Sequence, residues 1–175
     1  SSAASDVYKR QVAVANKFAK TVLDTSGGRY ENWRNSLIYN SVLIQHYSTT
    51  ASYWAGDKYF RYDSYATSLW DRNYPTAVKG IEDIINQLNQ EGNSGSEMGM
   101  ARILRVFIYH RLTDTHGDVP YSEALLGSEN LNPAADSGQS VYNAARGLLD
   151  SAISNFGQGG VPPTYDMYYG GNACL

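Results

Sequence analysis

Apolar side chains recur along this chain at three- and four-residue steps and rarely at alternate positions, the periodicity of helices packed along one side. Tyr74, Val78, Ile81, Ile85 and Leu88 form one continuous stripe, with Lys79, Glu82, Asp83 and Gln87 largely off it. That spacing predicts a long helix with a single buried face. Gly92, Asn93, Ser94 and Gly95 then break the pattern. Ser94 and Glu97 have the spacing of a capping box, in which hydroxyl and carboxylate satisfy each other's backbone donors. From about Ser96 to Asp114 the next helix is apolar on more than one face: Met98, Ala101, Leu104, Ile108 and Leu112 are flanked by Ile103, Val106 and Phe107. A helix of that kind belongs at the centre of a fold. Gly117 and Pro120 end it, because glycine accepts left-handed dihedrals and proline cannot continue the hydrogen-bond ladder. A third stripe, Val141, Ala145, Leu148, Ala152 and Phe156, marks a helix that stops before Gly157. Apolar spacing at about 12–23 and 31–47 predicts two more.

No alternating run persists long enough to argue for a sheet, so the expected class is all-α. Helix-loop-helix pairs with irregular connections suggest stacked hairpins of the tetratricopeptide type. Phe107 and Val141 lie 34 residues apart, that repeat's period, but no consensus recurs, and a helical bundle fits the same stripes. At 175 residues, 42% hydrophobic and 18% charged, the length suits one domain with a real core. No apolar run approaches the roughly 20 residues of a membrane span.

Both ends look foreign to the rest. Residues 1–11, SSAASDVYKRQ, read as the translation of a transposon sequencing adapter, and Cys174 with Leu175 match the first two codons of the reverse adapter. Such segments are set aside in fold reasoning. Without Asp6, Lys9 and Arg10 the chain keeps 12 basic and 16 acidic residues, and its net charge moves from −3 to −4. A mildly acidic chain with no Lys/Arg cluster is a poor nucleic-acid binder. One cysteine excludes a disulfide scaffold and a thiolate metal site.

The compositional oddity is aromatic: fifteen tyrosines and three tryptophans. Three of these tyrosines and two of the tryptophans fall between Trp54 and Asn73, with Phe60 among them and without a helical stripe. Sugar binding needs flat rings to stack on the C–H face of a pyranose, and planar amide, carboxylate and guanidinium groups to take its hydroxyls. The candidate ligand-binding residues are therefore Trp54, Asp57, Tyr59, Arg61, Tyr62, Tyr65, Trp70 and Asn73. A loop folded down over the helices, or facing a partner protein, would carry the same residues, and Trp70 with Tyr74 also fits a core face.

His110, Asp114, His116 and Asp118 alternate around the end of the central helix, but histidines six residues apart do not share a helical face. The expected role of Asp114, Gly117, Asp118, Pro120 and Tyr121 is a structural turn, with the two aspartates accepting backbone N–H bonds. His116 itself is expected to matter little. A glycosidase needs two carboxylates held across a scissile bond, and none of the sixteen acids sits in an identifiable motif. Neither a nucleophile elbow, a P-loop nor a dinucleotide fingerprint is present. The expectation is a chain without catalytic residues, cofactor or metal site.

The run ARILRVFIYHRLTDTHGDVPYSEAL, residues 101–125, resembles the signature of the SusD/RagB-type nutrient-binding lipoproteins: a buried helix, the TDTHGDVPY turn and a short helix at SEAL. Upstream, YWAGDKYFRYDSYATSLWDRNYPTAVKGIEDII (53–85) has that family's order of aromatic loop, then a Trp opening a long helix. Downstream, VYNAARGLLDSAISNF (141–156) and YDMYYGGN (165–172) are similar to its next helix and the approach to the one after. The resemblance covers residues 12–172. It implies an incomplete SusD-like domain over 12–173, built of tetratricopeptide-like stacked hairpins. It also implies a non-catalytic lipoprotein, lipid-anchored at the outer-membrane surface, that binds an oligosaccharide and delivers it to a SusC-like TonB-dependent transporter. Some relatives are thought to capture peptides, and a tetratricopeptide-like protein-interaction module fits the same residues.

Overall fold

The structure, a computed structural model, describes residues 13–23, 37–51, 56–60 and 62–158. Trp54, Arg61, the adapter-like 1–11, Cys174, Leu175 and the run 165–172 lie outside the described residues. The elements are α1 (residues 13–22), α2 (Ser41–Leu43), α3 (Asp63–Ala66), α4 (Ser68–Arg72), α5 (Lys79–Gln90), α6 (Ser96–His116) and α7 (Gly138–Gly157). Among the described residues there is no strand, only an isolated antiparallel bridge between Val119 and Asp136. The class is all-α.

α4 and α5 are one helix interrupted by a π-helical stretch, Asn73–Val78. Pro75 explains it, because proline has no N–H for the carbonyl four residues back and its ring crowds that carbonyl. The wider turn, closed from i to i+5, relieves both problems. It also carries Leu69, Asn73 and Ala77 at four-residue steps on the buried side. Below it, Val78, Ile81, Ile84 and Leu88 are buried, whereas Ile85, placed on the stripe by periodicity, only packs at the edge of the core.

α6 is the centre. Met98, Ala101, Leu104, Ile108 and Leu112 are all buried, joined by Tyr109. Packed against α5 on one side and α7 on the other, it forms helical hairpins with both. Its second apolar face behaves differently, since Ile103 and Phe107 remain 44% and 36% exposed. α7 begins at Ser137, whose hydroxyl accepts the Ser140 N–H at 3.2 Å as a helix cap. It buries Val141, Ala145 and Ala152. α6 and α7 approach closely at Gly99, where a Cβ would stand 3.0 Å from the Phe156 ring.

Three expectations about element ends are overturned. The expected helix 31–47 stops at Leu43: Gln45 adopts φ +60, its N–H donates to Val42 O and the His46 N–H to Ser41 O, a Schellman closure with glutamine in glycine's place. Ser94 and Glu97 make no capping box. The Ser94 hydroxyl donates to Gln158 at 2.8 Å, while Asn93 donates to Glu97 at 2.6 Å and accepts the Gly95 N–H at 3.1 Å. Asn93 captures the carboxylate from the turn and leaves Gly95 as the cap. SEAL is not helical either. The Ser122 N–H and hydroxyl are both committed to Asp136, and Leu125 sits at φ +62.

Candidate functional site

Residues 56–60 and 62–65 form an aromatic string beside α2. Gly56 begins a single 3-10 turn, Gly56–Lys58, pressed so tightly on α2 that a Cβ would meet Val42 at 3.2 Å and the Ile38 carbonyl at 3.3 Å. Tyr59 follows at φ +57, a left-handed conformation uncommon outside glycine, and its N–H donates to Gly56 O at 3.0 Å. This sharp turn throws Tyr59 and Phe60 outward, each 65% exposed. Next come Tyr62 and Tyr65, half-buried at the start and within the first turn of α3. Ring centroids lie 5.9 Å apart from Phe60 to Tyr62 and 5.4 Å from Tyr62 to Tyr65, tilted at 46° and 41°. Tilted rings at that spacing expose faces and edges rather than hiding them in a stack.

The other candidates separate from this string. Asp57 accepts the Thr49 N–H at 3.3 Å through one carboxylate oxygen, so part of its capacity holds the preceding loop. Trp70 lies half-buried against Tyr74 at 4.7 Å and edge-on to His116 at 5.4 Å. Asn73 is only 2% exposed, drawn inward with Leu69 and Ala77 by the π-helical stretch, and its side-chain oxygen has no partner. Surface recognition by Asn73 is therefore not what its position allows. Phe60, which the candidate set omitted, is among the most exposed rings of the string. Its only sequence signal was its place within the aromatic run.

The turn after α6 is tied to three elements. Gly117 has φ +79, its N–H donates to Thr113 O at 2.8 Å, and the Thr113 hydroxyl donates to Gly117 O at 2.6 Å. Asp118 accepts a backbone N–H, as expected of it, but from Gly138 at the start of α7 (3.0 Å). Asp114 departs from expectation: it accepts the Tyr142 hydroxyl of α7 instead of a turn N–H. It sits on the last turn of α6, facing its hairpin partner. The Pro120 carbonyl accepts the Tyr74 hydroxyl at 2.8 Å. Tyr121 packs edge-on against Tyr109 at 4.7 Å, and the Arg105 guanidinium lies 4.8 Å over the Tyr121 ring.

Arg105 also pairs with Glu82 of α5 at 2.7 Å. Burial pushes the Glu82 carboxyl above its usual range even with that cation beside it, and burial likewise raises the Tyr74 and Tyr109 hydroxyls. These groups join the turn to α5 and α6 and stay neutral or paired.

The residue that pattern reading missed is Asp136. One of its carboxylate oxygens accepts the N–H groups of Tyr121 (2.9 Å) and Ser122 (2.8 Å), and the Ser122 hydroxyl completes the set. The Ser122 N–H above all holds this carboxyl below the ordinary aspartate range. His116 was also undervalued, since its Nε2 lies 3.2 Å from the Ala66 carbonyl, fifty residues away in sequence.

Among the described residues no three His, Cys, Asp or Glu side chains gather as a metal site would require, and no helix is long and apolar enough to cross a membrane.

The chain matches, over residues 8–174, the SusD-like family described as starch-binding and associating with the outer membrane. No curated protein matches it. A solved structure named chitin-binding protein superposes with a TM-score of 0.80 at 34% identity, covering 91% of this chain and 35% of that one. A SusD-like protein from Bacteroidetes AC2a superposes with a TM-score of 0.76 at 24% identity, covering 91% and 30%. The chain thus spans about a third of the length of these two proteins. Matched along nearly its whole length, this chain belongs to the SusD-like family.

Proposed function

We propose that the chain is part of a non-catalytic, lipid-anchored subunit at the outer-membrane surface, which binds an oligosaccharide and passes it to a SusC-like TonB-dependent transporter. The aromatic string carries this reading, with Tyr59 and Phe60 exposed and Tyr62 and Tyr65 half-buried beside them. Its rings reach solvent wholly or in part, are tilted and are held on a built turn, the form suited to a polymer's alternating C–H faces and hydroxyls. The family description and the chitin-binding name of one structural neighbour support a carbohydrate as ligand.

Affinity electrophoresis in gels containing glycol chitin or soluble starch tests the reading. The chain is expected to be retarded by at least one of them. Phe60→Ala and Tyr62→Ala should each weaken retardation about tenfold, equivalent to about 1.4 kcal/mol, with little change in melting temperature. Trp70→Ala should instead lower stability, by about 2 kcal/mol, since its ring packs on Tyr74 and His116. No reducing sugar should be released from the bound polymer. Specific capture of peptides with no retardation by any polysaccharide would reassign the ligand class, and measurable turnover would restore a hydrolase.

A further inference from the structure

α3 is four residues long, too short to persist in water by its own hydrogen bonds. Yet Tyr62 caps it and Tyr65 lies within it, so its orientation sets two of the string's rings. Its internal bonds are few: the Tyr65 and Ala66 N–H groups both donate to Tyr62 O, at 3.0 and 3.1 Å, and the Thr67 N–H donates to Asp63 O at 2.9 Å. Two side chains tie its far end to the core: the buried Ser68 hydroxyl at the start of α4, which donates to Tyr65 O at 2.8 Å, and a histidine from another element. The His116 Nε2 lies 3.2 Å from Ala66 O, and a carbonyl only accepts, so this contact needs the proton on Nε2. His116 is the last residue of the central helix α6, and Trp70 braces its ring edge-on at 5.4 Å. The other ring nitrogen stands 3.3 Å from Leu112 O, also an acceptor, so a neutral ring donates to one of the two carbonyls and the tie to α3 requires that it be Ala66 O.

We propose that His116 is a positioning residue for the glycan-binding face: a strut from the end of α6 that fixes α3, and with it the Tyr62 and Tyr65 rings. This rests on the reading of the aromatic string as the binding surface. The chemistry of the strut is narrow. It needs a donor at the Nε2 position, one that reaches beyond its own helix. Glutamine places an amide N–H near that position, asparagine places one near Nδ1, and alanine supplies neither.

The test compares His116→Gln, His116→Asn and His116→Ala in the intact chain by two readouts. The first is amide hydrogen exchange at Tyr65, Ala66 and Thr67. The second is retardation by whichever of glycol chitin and soluble starch retards the wild type. With one hydrogen bond lost, His116→Ala and His116→Asn should speed exchange at these amides about tenfold. Binding should weaken by a similar factor, while amides of α7 keep their protection. His116→Gln should stay close to wild type in both. Wild-type exchange in all three variants overturns the strut. Equal loss of protection in α7 makes His116 a general stabiliser and overturns it too. Faster exchange at α3 with unchanged retardation removes the link to binding. Should the wild type bind no polysaccharide, the glycan reading fails on its own, and the exchange pattern still decides whether His116 holds α3.

Discussion

Gly117 holds φ +79 with ψ −121, a region that side chains with a Cβ scarcely enter. A Cβ built there would meet nothing within 4 Å, so crowding is not what excludes one; the backbone is. Gly117→Val should therefore destabilise the fold by roughly 1 to 3 kcal/mol, and Gly117→Ala nearly as much, because neither can relieve the strain by moving a neighbour. Urea denaturation measures this, and a Gly117→Ala variant as stable as wild type would show that the turn relaxes to negative φ. This position was legible in the sequence because its constraint is local: a helix end followed by Asp118 and Pro120. Asp114 was not, since its partner Tyr142 sits 28 residues away and is met only once α6 and α7 pair. Asn73 misled for a related reason. Its chemistry suits a sugar, but the π-helical stretch at Pro75 turns it into the core.

At the scale of elements, the buried face of α6 was readable residue by residue because its periodicity is uninterrupted. α4 and α5 were readable only in part: a single wide turn changes which residues share a face, and the apolar count does not record it. Helical glycines show how packing decides the sign of a substitution. Gly147 lies inside α7 with nothing within 4 Å of a built Cβ. Gly147→Ala should stabilise by about 0.5 to 1 kcal/mol through helix propensity alone. Gly80 in α5 faces α1, and a Cβ there would stand 2.5 Å from the Oγ1 of Thr21, a buried, β-branched side chain with little room to turn. The same propensity gain of about 1 kcal/mol then meets an overpacking cost of about 1 to 3 kcal/mol, so Gly80→Ala should be neutral to destabilising. Combining it with Thr21→Ala should recover the difference, a coupling of about 1 kcal/mol in a double-mutant cycle. Additive effects would mean that α1 and α5 separate without resistance.

Over the whole molecule, the segment between α6 and α7 was the least legible, because no periodic pattern organises it; carboxylates do. Val119 and Asp136 exchange two backbone hydrogen bonds, at 3.1 and 2.9 Å, and close an eighteen-residue loop. Asp118 then fastens it to α7, beside the Asp114 bond that joins α6 to Tyr142, and the Tyr74 hydroxyl fastens it to the π-helical stretch before α5. Asp136 is the charge at this closure, and its direction of shift fixes the acid response. With a folded value held below the ordinary aspartate range of about 4, its contribution is complete above that range and is lost as pH falls through the folded value. Asp136→Asn keeps an acceptor but not the charge. It should cost about 1 kcal/mol at pH 7, the low end for a charge-assisted bond because the carboxylate is partly open to water. Thermal melts of both proteins from pH 7 to pH 3 check the prediction. The gap between wild type and Asp136→Asn should narrow below pH about 4, as the wild-type carboxyl itself takes up a proton. A gap of constant size across that range would assign the loss to the geometry of the closure and remove charge as its cause.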